Sequence, residues 1–317
     1  MSQRPWVSVL MPTCNGAAYL RFALDSIIAQ SDAAIECLVI DDASTDETTS
    51  VLEAYSDRLQ LQIRRHARAG NWVRSTNEAL ELARGEFVSF LHQDDIWLGG
   101  RIAALRQLAA NHPDVSFFLG SAQFMDSRGR EVGRWRCPLP ALPRILDRDF
   151  LLERLLVQNF VAMPAPLVRR QLALDVGGLD ERVWYTADWD FWLRLAARGI
   201  SGYVAQPLAG FRIHARSQTV MRSALPEDFK YQHESIAQKH LALWTGPEVR
   251  RAQLQRVSHF SIQANVALAG SLNGRPVPIF RLMKGLLELG PLGAHQYFRD
   301  SRILERTMAR VRARLQR

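Results

Sequence analysis

Four short apolar runs alternate with three segments of helical spacing in the first 95 residues, and this alternation leaves few folds open. Val7-Ser8-Val9-Leu10-Met11 reads as a buried strand ending at Pro12. Residues 17–30 carry Ala17, Leu20, Ala23, Leu24, Ile27 and Ile28 at helical spacing. Ile35 to Ile40 reads as a second strand, followed by a helix to about Tyr55. Leu59 to Ile63 reads as a third strand, 71–84 as a helix ended by Gly85, and Phe87 to Leu91 as a fourth strand. A βαβαβαβ order implies an α/β fold, a Rossmann-like, mostly parallel sheet flanked by helices with right-handed crossovers. Ligands of such sheets sit at the carboxyl ends of strands. Three of those ends carry polar clusters here: Thr13/Asn15, Asp41/Asp42 and Asp94/Asp95.

Beyond residue 111 the pattern blurs. Val115 to Gly120 and Gln123 to Met125 read as strands, with a turn at Ser127-Arg128-Gly129. Residues 147–157 and 186–198 read as helices, and 226–317 as mostly helical, broken near Gly246-Pro247, Gly274-Pro276 and Gly290-Pro291. The phosphate loops GxGxxG and GxxxxGK[ST] are absent, so a nucleotide must be held by other means. Two adjacent carboxylates after a buried strand repel unless water, donors or a cation offset them. Asp94-Asp95 is therefore a candidate site for Mg²⁺ or Mn²⁺, which take oxygen ligands and share them with substrate phosphates. The plain alternative for either acidic pair is a turn whose Asp caps the next helix.

These clusters stand in the order of a known family. Val7 to Asn15 resembles the opening strand of family 2 glycosyltransferases of the GT-A fold, and Asp41-Asp42-Ala43-Ser44-Thr45-Asp46 resembles their DD-x-S-x-D segment. Leu91-His92-Gln93-Asp94-Asp95 resembles their DxD-type motif, with His92 in its first position. Gly177 to Glu181, then Asp188 to Leu195, resembles their acceptor-side segment, with Ala187 where the family often has Glu. Phe211-Arg212-Ile213-His214 resembles a further R-x-H element. The resemblance spans roughly residues 5–220. It implies transfer of a sugar from a nucleotide diphosphate donor, a UDP-sugar first among them, with inversion at the anomeric carbon. It implies that Pro12, Thr13 and Asn15 line the base and ribose pocket and that Asp42 holds the base edge. Asp94 would meet the ribose and, with Asp95 and His214, a divalent metal on the diphosphate. Asp188 would be the general base, with Asp190 as its rival, and Arg74 a charge partner of the diphosphate. A nucleotidyltransferase is disfavoured, because no Gly-rich basic loop follows the first strand. A non-catalytic glycan- or nucleotide-binding protein is the reading that His92 and Ala187 would support.

Charge is unevenly placed. The chain carries 40 Lys/Arg against 32 Asp/Glu, and residues 275–317 alone hold ten against three. A neutral body argues against a general nucleic-acid binder. The expected organisation is a catalytic domain over 1–220 and a helical C-terminal extension over 221–317 with a basic tail. Arg302, Arg306, Arg310, Arg312, Arg314 and Arg317 alternate there with Ile303, Leu304, Met308, Val311 and Leu315. That pattern fits either a solvated surface helix or peripheral contact with an anionic membrane, apt for an enzyme with a glycan or lipid-linked acceptor. The competing expectation is a helix docked on the catalytic domain. No run reaches the ~18 apolar residues of a membrane span, and Trp6 to Met11 is too short for a signal peptide. Three widely spaced cysteines, Cys14, Cys37 and Cys137, suit a reducing cytoplasm.

Overall fold

The computed structural model describes residues 4–67, 70–142, 144–214, 226–272 and 274–315. In chain order the strands and helices are β1 (Val7–Thr13), α1 (Ala17–Ile28), β2 (Ile35–Asp41), α2 (Thr48–Glu53), β3 (Gln60–Arg65), α3 (Trp72–Leu82), β4 (Phe87–Phe90) and β5 (Ile96–Trp97). Next come α4 (Arg101–Asn111), β6 (Phe117–Met125), β7 (Glu131–Trp135), β8 (Ile145–Leu146), α5 (Arg148–Val157), β9 (Leu167–Arg169), α6 (Arg170–Asp175), α7 (Ala187–Ala196) and β10 (Ser201–Arg212). The chain continues as helices α8 (Pro226–Leu243), α9 (Glu248–Leu272), α10 (Ile279–Glu288), α11 (Gly290–Ser301) and α12 (Ile303–Leu315).

The strands form one sheet in the order β3-β2-β1-β4-β9-β6-β10-β5, with β7 beside β6 and β8 beside β10. The β3-β2-β1-β4 half is parallel throughout, as the alternation of the first 95 residues requires. β9 then runs antiparallel between β4 and β6, so the sheet is mixed. Every residue of β1 and β2 is buried, which explains their nearly continuous apolar sequence. Alternate side chains feed two cores. Leu10, Leu38 and Ile40 point to the core beneath α3, α5 and α7, whereas Val9, Met11, Cys37 and Val39 point to the core beneath α1, α2 and α4. Pro12 lies inside β1, but β4 ends opposite Leu10, so its missing N–H faces no β4 partner.

Strand β10 went unread in the sequence because Gly202, Pro207 and Gly210 are poor strand formers. The glycines are required by close approach: a Cβ on Gly202 would fall 2.5 Å from the Phe118 ring, and one on Gly210 2.6 Å from Met125 sulfur. Residues 117–125, expected as two strands, form one, and the expected turn at 127–129 closes its hairpin with β7.

The boundary expected between 220 and 221 falls in 215–225, outside the described residues. The helices beyond it share the main core: Ile236, Leu254, Phe260 and Tyr297 belong to the same cluster as Leu10, Phe90 and Trp192. The tail takes the docked form among the three that the sequence left open. Ala309 and Ala313 of α12 pack on Val132 and Phe124, and Arg312 donates to the Val132 carbonyl at 3.4 Å. An αL residue, Arg302 with φ 49°, sets the turn from α11 into α12. Its outer face keeps Leu304, Met308 and Val311 exposed. Deleting residues 303–317 removes the buried Ile303, Ala309 and Ala313 at a cost of about 2 kcal/mol. A scanning-calorimetry comparison with the full chain should therefore show Tm lowered by roughly 5 °C.

Candidate active site

The donor-side half is built where β1, β2 and β4 end. Asn15 sits in the left-handed region, φ 47°, where Asn is tolerated better than most residues. Its side-chain oxygen accepts from Thr45 N at 2.8 Å, and its own N–H donates to Ser44 Oγ at 2.8 Å. It thus ties the β1–α1 loop to the β2–α2 loop. Asp46 caps that second loop through Thr48 N at 3.0 Å and reaches Ala17 N at 3.1 Å. Gln93 closes the mouth between β1 and β4: its amide accepts from Cys14 N at 2.8 Å and donates to Cys14 O at 3.0 Å.

Asp42 is buried, with one oxygen 2.8 Å from His66 Nδ1 and the other receiving Ser75 Oγ at 2.9 Å. The far nitrogen of His66 meets Glu78 at 2.7 Å. The Asp42 hydrogen bond raises the His66 pKa, and Glu78 adds to this against a smaller opposing effect of burial. His66, Ser75 and Glu78 had no signal in the sequence, because they reach Asp42 from β3 and α3. Pro12 and Thr13 are buried beside it at the end of β1, and Thr13 Oγ1 has no hydrogen-bond partner among the described residues. Arg74 is exposed on α3, and its side chain makes no hydrogen bond to another described residue.

Asp94 and Asp95, expected together on a metal, have different partners. Asp94 Oδ2 lies 2.8 Å from His214 Nε2, so the structure joins those two candidates across 120 residues. Asp95 is 2% exposed and accepts from Arg212 N at 2.9 Å. Burial pushes the Asp95 carboxyl well above the usual carboxylate range, and the neighbouring Asp94 adds to this. Burial would raise Asp94 as well, but the His214 hydrogen bond and the His92 charge hold it below its ordinary value. Among the described residues no three His, Cys, Asp or Glu side chains gather as a metal cage. A carboxylate and an imidazole beside an open strand end still fit a divalent cation whose other ligands are phosphate oxygens and water. His92 keeps Nε2 buried without a partner, edge-on to Trp72 with ring centroids 5.4 Å apart. Trp72 Nε1 donates to the Trp184 carbonyl at 3.1 Å, bringing the loop before Asp188 up to the donor side.

The acceptor-side half is the start of α7, where two acids lie on opposite faces. Asp188 is partly exposed, held by Asn159 Nδ2 at 2.9 Å and Trp189 N at 2.7 Å. Burial raises its pKa to about 6, only partly opposed by those hydrogen bonds. Asp190 is fully buried and fully paired, with Lys239 and His240 each at 2.8 Å and Arg194 at 2.7 Å. Although burial alone would raise its pKa, the His240 and Lys239 hydrogen bonds and the Arg194 charge bring it well below the usual range. Of the two acids, Asp188 alone has the exposure and the pKa of a general base. A cleft of about 600 Å³ lined by Asn77, Gly178, Asp180 and Lys239 lies on the Asp190 face of the helix.

The Glycosyl transferase family 2 profile matches residues 8–165, and the chain belongs to that family. It is a glycosyltransferase of the GT-A fold. The uncharacterized protein MT1568 of Mycobacterium tuberculosis is 31% identical over 68% of this chain and 70% of its own length. The Escherichia coli enzyme WfgD, a UDP-Glc:α-D-GlcNAc-diphosphoundecaprenol β-1,3-glucosyltransferase, is 31% identical over 46% of this chain and 61% of its own. TarS 1–349 of S. aureus in complex with UDP-GlcNAc superposes with TM-score 0.64 at 20% identity, covering 93% of this chain and 88% of that one. The mannosyltransferase PcManGT of Pyrobaculum calidifontis, in complex with GDP-Man and Mn²⁺, superposes with TM-score 0.58 at 16% identity, covering 98% and 88%. The two structures share the fold.

Asp188→Asn should cut transfer about 10²–10⁴-fold with Tm unchanged, whereas Asp190→Ala should lose about 3–5 kcal/mol of stability. Chemical denaturation paired with a transfer assay separates the two. Because the base acts ionised, transfer by the wild type should fall tenfold per unit as pH drops below about 6 and be flat above it. An acid limb set elsewhere and unmoved by Asp188→Asn counts against the assignment.

Proposed function

We propose that the protein transfers a sugar from a UDP-sugar to a hydroxyl of a glycan or lipid-linked acceptor, with inversion, in cell-surface polysaccharide assembly. The observation that supports this reading is Trp72, whose ring meets His92, two residues before Asp94, and whose Nε1 donates to Trp184, four residues before Asp188. The base and ribose would lie against Pro12, Thr13, Asn15 and Asp42, where Thr13 Oγ1 lacks a partner among the described residues. Asp42, already held by His66 and Ser75, keeps a fixed carboxylate edge for the base. Mg²⁺ or Mn²⁺, held by Asp94 and His214, would offset the charge that develops on the departing diphosphate. Asp95 would act by holding the Arg212 backbone, and Arg74 is free to reach the diphosphate. Asp188 takes the proton of the acceptor hydroxyl as that oxygen bonds to the anomeric carbon and the carbon–diphosphate bond breaks on the opposite face. WfgD uses a UDP-sugar and a diphospholipid-linked acceptor, and TarS and PcManGT bind nucleotide sugars, PcManGT with Mn²⁺.

No helix among the described residues is long and apolar enough to cross a membrane. Peripheral contact with an anionic cytoplasmic leaflet would fall chiefly to α10, whose Ile279, Phe280, Met283 and Leu287 are exposed beside Arg281 and Lys284. The sequence pointed to the tail of 275–317 for this contact, to 280–289 and to the basic stretch 302–317, and docking on β7 buries the inner face of the latter.

Two measurements check this reading. UDP with Mn²⁺ should raise Tm in the wild type and much less in Asp94→Asn and His214→Ala; equal shifts in all three would refute the metal site. Phe280→Glu/Leu287→Glu should co-sediment less with phosphatidylserine vesicles than the wild type, most clearly at low salt. Equal sedimentation would remove α10 as the contact.

A further inference from the structure

His66 stands between two carboxylates. Its Nδ1 lies 2.8 Å from Asp42 Oδ1, and its Nε2 lies 2.7 Å from Glu78 Oε2. A neutral imidazole carries one N–H, so its other nitrogen would turn a lone pair on a carboxylate oxygen. Only the imidazolium donates to both at once, and both distances suit charge-assisted hydrogen bonds. The ring joins three elements. It follows β3, its backbone N–H donates to the Asp41 carbonyl at the end of β2 at 2.9 Å, and Glu78 lies on α3. Ser75, one turn earlier on α3, donates to the other oxygen of Asp42 at 2.9 Å. Asp42 is thus held by one ring and one helix. The surrounding charges favour the cation. Behind the two direct partners, Arg64 lies 3.5 Å from Glu78, and Arg65 lies 3.9 Å from Asp41 and 3.8 Å from Glu53. Four acids therefore face two arginines, and both arginines are half-exposed, where solvent weakens their effect. The Asp42 hydrogen bond raises the His66 pKa, burial opposes this, and Glu78 adds to the rise.

We propose that His66 is a positioning residue for the donor base: as the imidazolium it fastens Asp42 to α3, and the seat for the base is complete only in that form. The inference rests on Asp42 as the contact for the base edge and adds how that contact is controlled. Loss of the proton leaves one nitrogen bare, and the contact with one carboxylate opens. If Asp42 is released, one of its oxygens loses its partner. If Glu78 is released, α3 loses its tie to β3, and Ser75 on the same helix is no longer fixed against Asp42. The seat loosens either way. His66 keeps its proton below its raised pKa, so donor affinity is full there and falls as pH rises through it. By reciprocity, a bound donor strengthens the hold of His66 on its proton. The acid limb set by Asp188 lies in turnover and this alkaline limb in donor affinity, so kcat and KM separate them.

The test is calorimetric titration of the full-length protein with UDP–Mg²⁺ from about pH 6 to about pH 9, a range that brackets and exceeds the ordinary histidine value. Wild-type affinity should fall at least about fivefold toward the alkaline end. His66→Gln keeps a donor but cannot titrate, so it should show no such fall. Glu78→Gln keeps an acceptor for Nε2 but removes a charge, so its fall should begin at lower pH. All three proteins share the titrations of the phosphates, the metal site and the base N–H, and their differences isolate His66. Isotope-edited NMR of the histidine rings reads the residue directly. One resonance, absent in His66→Gln, should titrate above the ordinary histidine value, and higher still with UDP–Mg²⁺ bound. If His66→Gln fails to fold, Glu78→Gln and this resonance carry the test. Constant wild-type affinity, a fall as large in His66→Gln as in the wild type, or a His66 titration that UDP–Mg²⁺ leaves unmoved would overturn the proposal. No UDP binding, or unchanged affinity in Asp42→Asn, would overturn the base contact and this inference with it. An affinity that needs Asp42 but ignores pH overturns this inference alone.

Discussion

The site depends on Arg212, a buried residue at the end of the last strand. Its N–H holds the Asp95 carboxylate at 2.9 Å, and its Nε holds the Asp94 carbonyl at 2.8 Å. The guanidinium also reaches the carbonyls of the β6–β7 turn and lies over the Tyr19 ring at 4.8 Å. One side chain therefore clamps three segments: the turn after β4, the β6–β7 hairpin and the first helix. Two residues on, His214 stacks near Tyr19 and meets Asp94. Without the clamp, neither the orientation of Asp94 nor the place of His214 is set. The carbonyl partners and the Tyr19 ring also explain how a guanidinium tolerates this burial.

Electrostatic division of labour repeats through the molecule. In each acidic pair the two carboxylates meet different kinds of partner. Asp41 contacts Ser44 within its own loop and Arg65 at 3.9 Å, whereas Asp42 is presented on His66 and Ser75. Asp95 accepts from the Arg212 backbone, and Asp94 meets His214. Asp190 binds α7 to α8 through Lys239 and His240 and pairs with Arg194 of its own helix, whereas burial raises the Asp188 carboxyl to about 6. Two adjacent or near-adjacent charges cannot both stay ionised at low cost in a dry site, and pairing one of them internally settles which remains.

The C-terminal helices are part of this arrangement. They share the core of the sheet, and Arg306 of α12 donates to the carbonyl of Asn159, whose side chain holds Asp188. An extension that looked like a basic appendage in the sequence is thus packed into the body of the fold. Its basic residues divide between Arg306, turned inward on α12, and cations such as Arg281, Lys284 and Arg312 left outside, and only packing separates the two.

The sequence by itself determined the parallel half of the sheet, the position of each acidic cluster at a strand end, and the family. These rest on local information: apolar period, turn residues and short motifs that act over a few neighbours. Asp42, Asp94, Asp188 and His214 stood out as candidates for that reason. The tertiary structure alone decided which partners each carboxylate of a pair meets, because that depends on donors such as Ser75, Arg212 and Lys239 arriving from distant elements. It alone revealed β10, whose glycines are poor strand formers until Phe118 and Met125 of the neighbouring strand fill the space above them. And it alone turned Arg306 inward, since a helix with both apolar and basic faces docks by whichever face the opposing surface fits. Here Gly133 and Val132 of β7 admit Ala309, and that contact rotates the arginine toward the base.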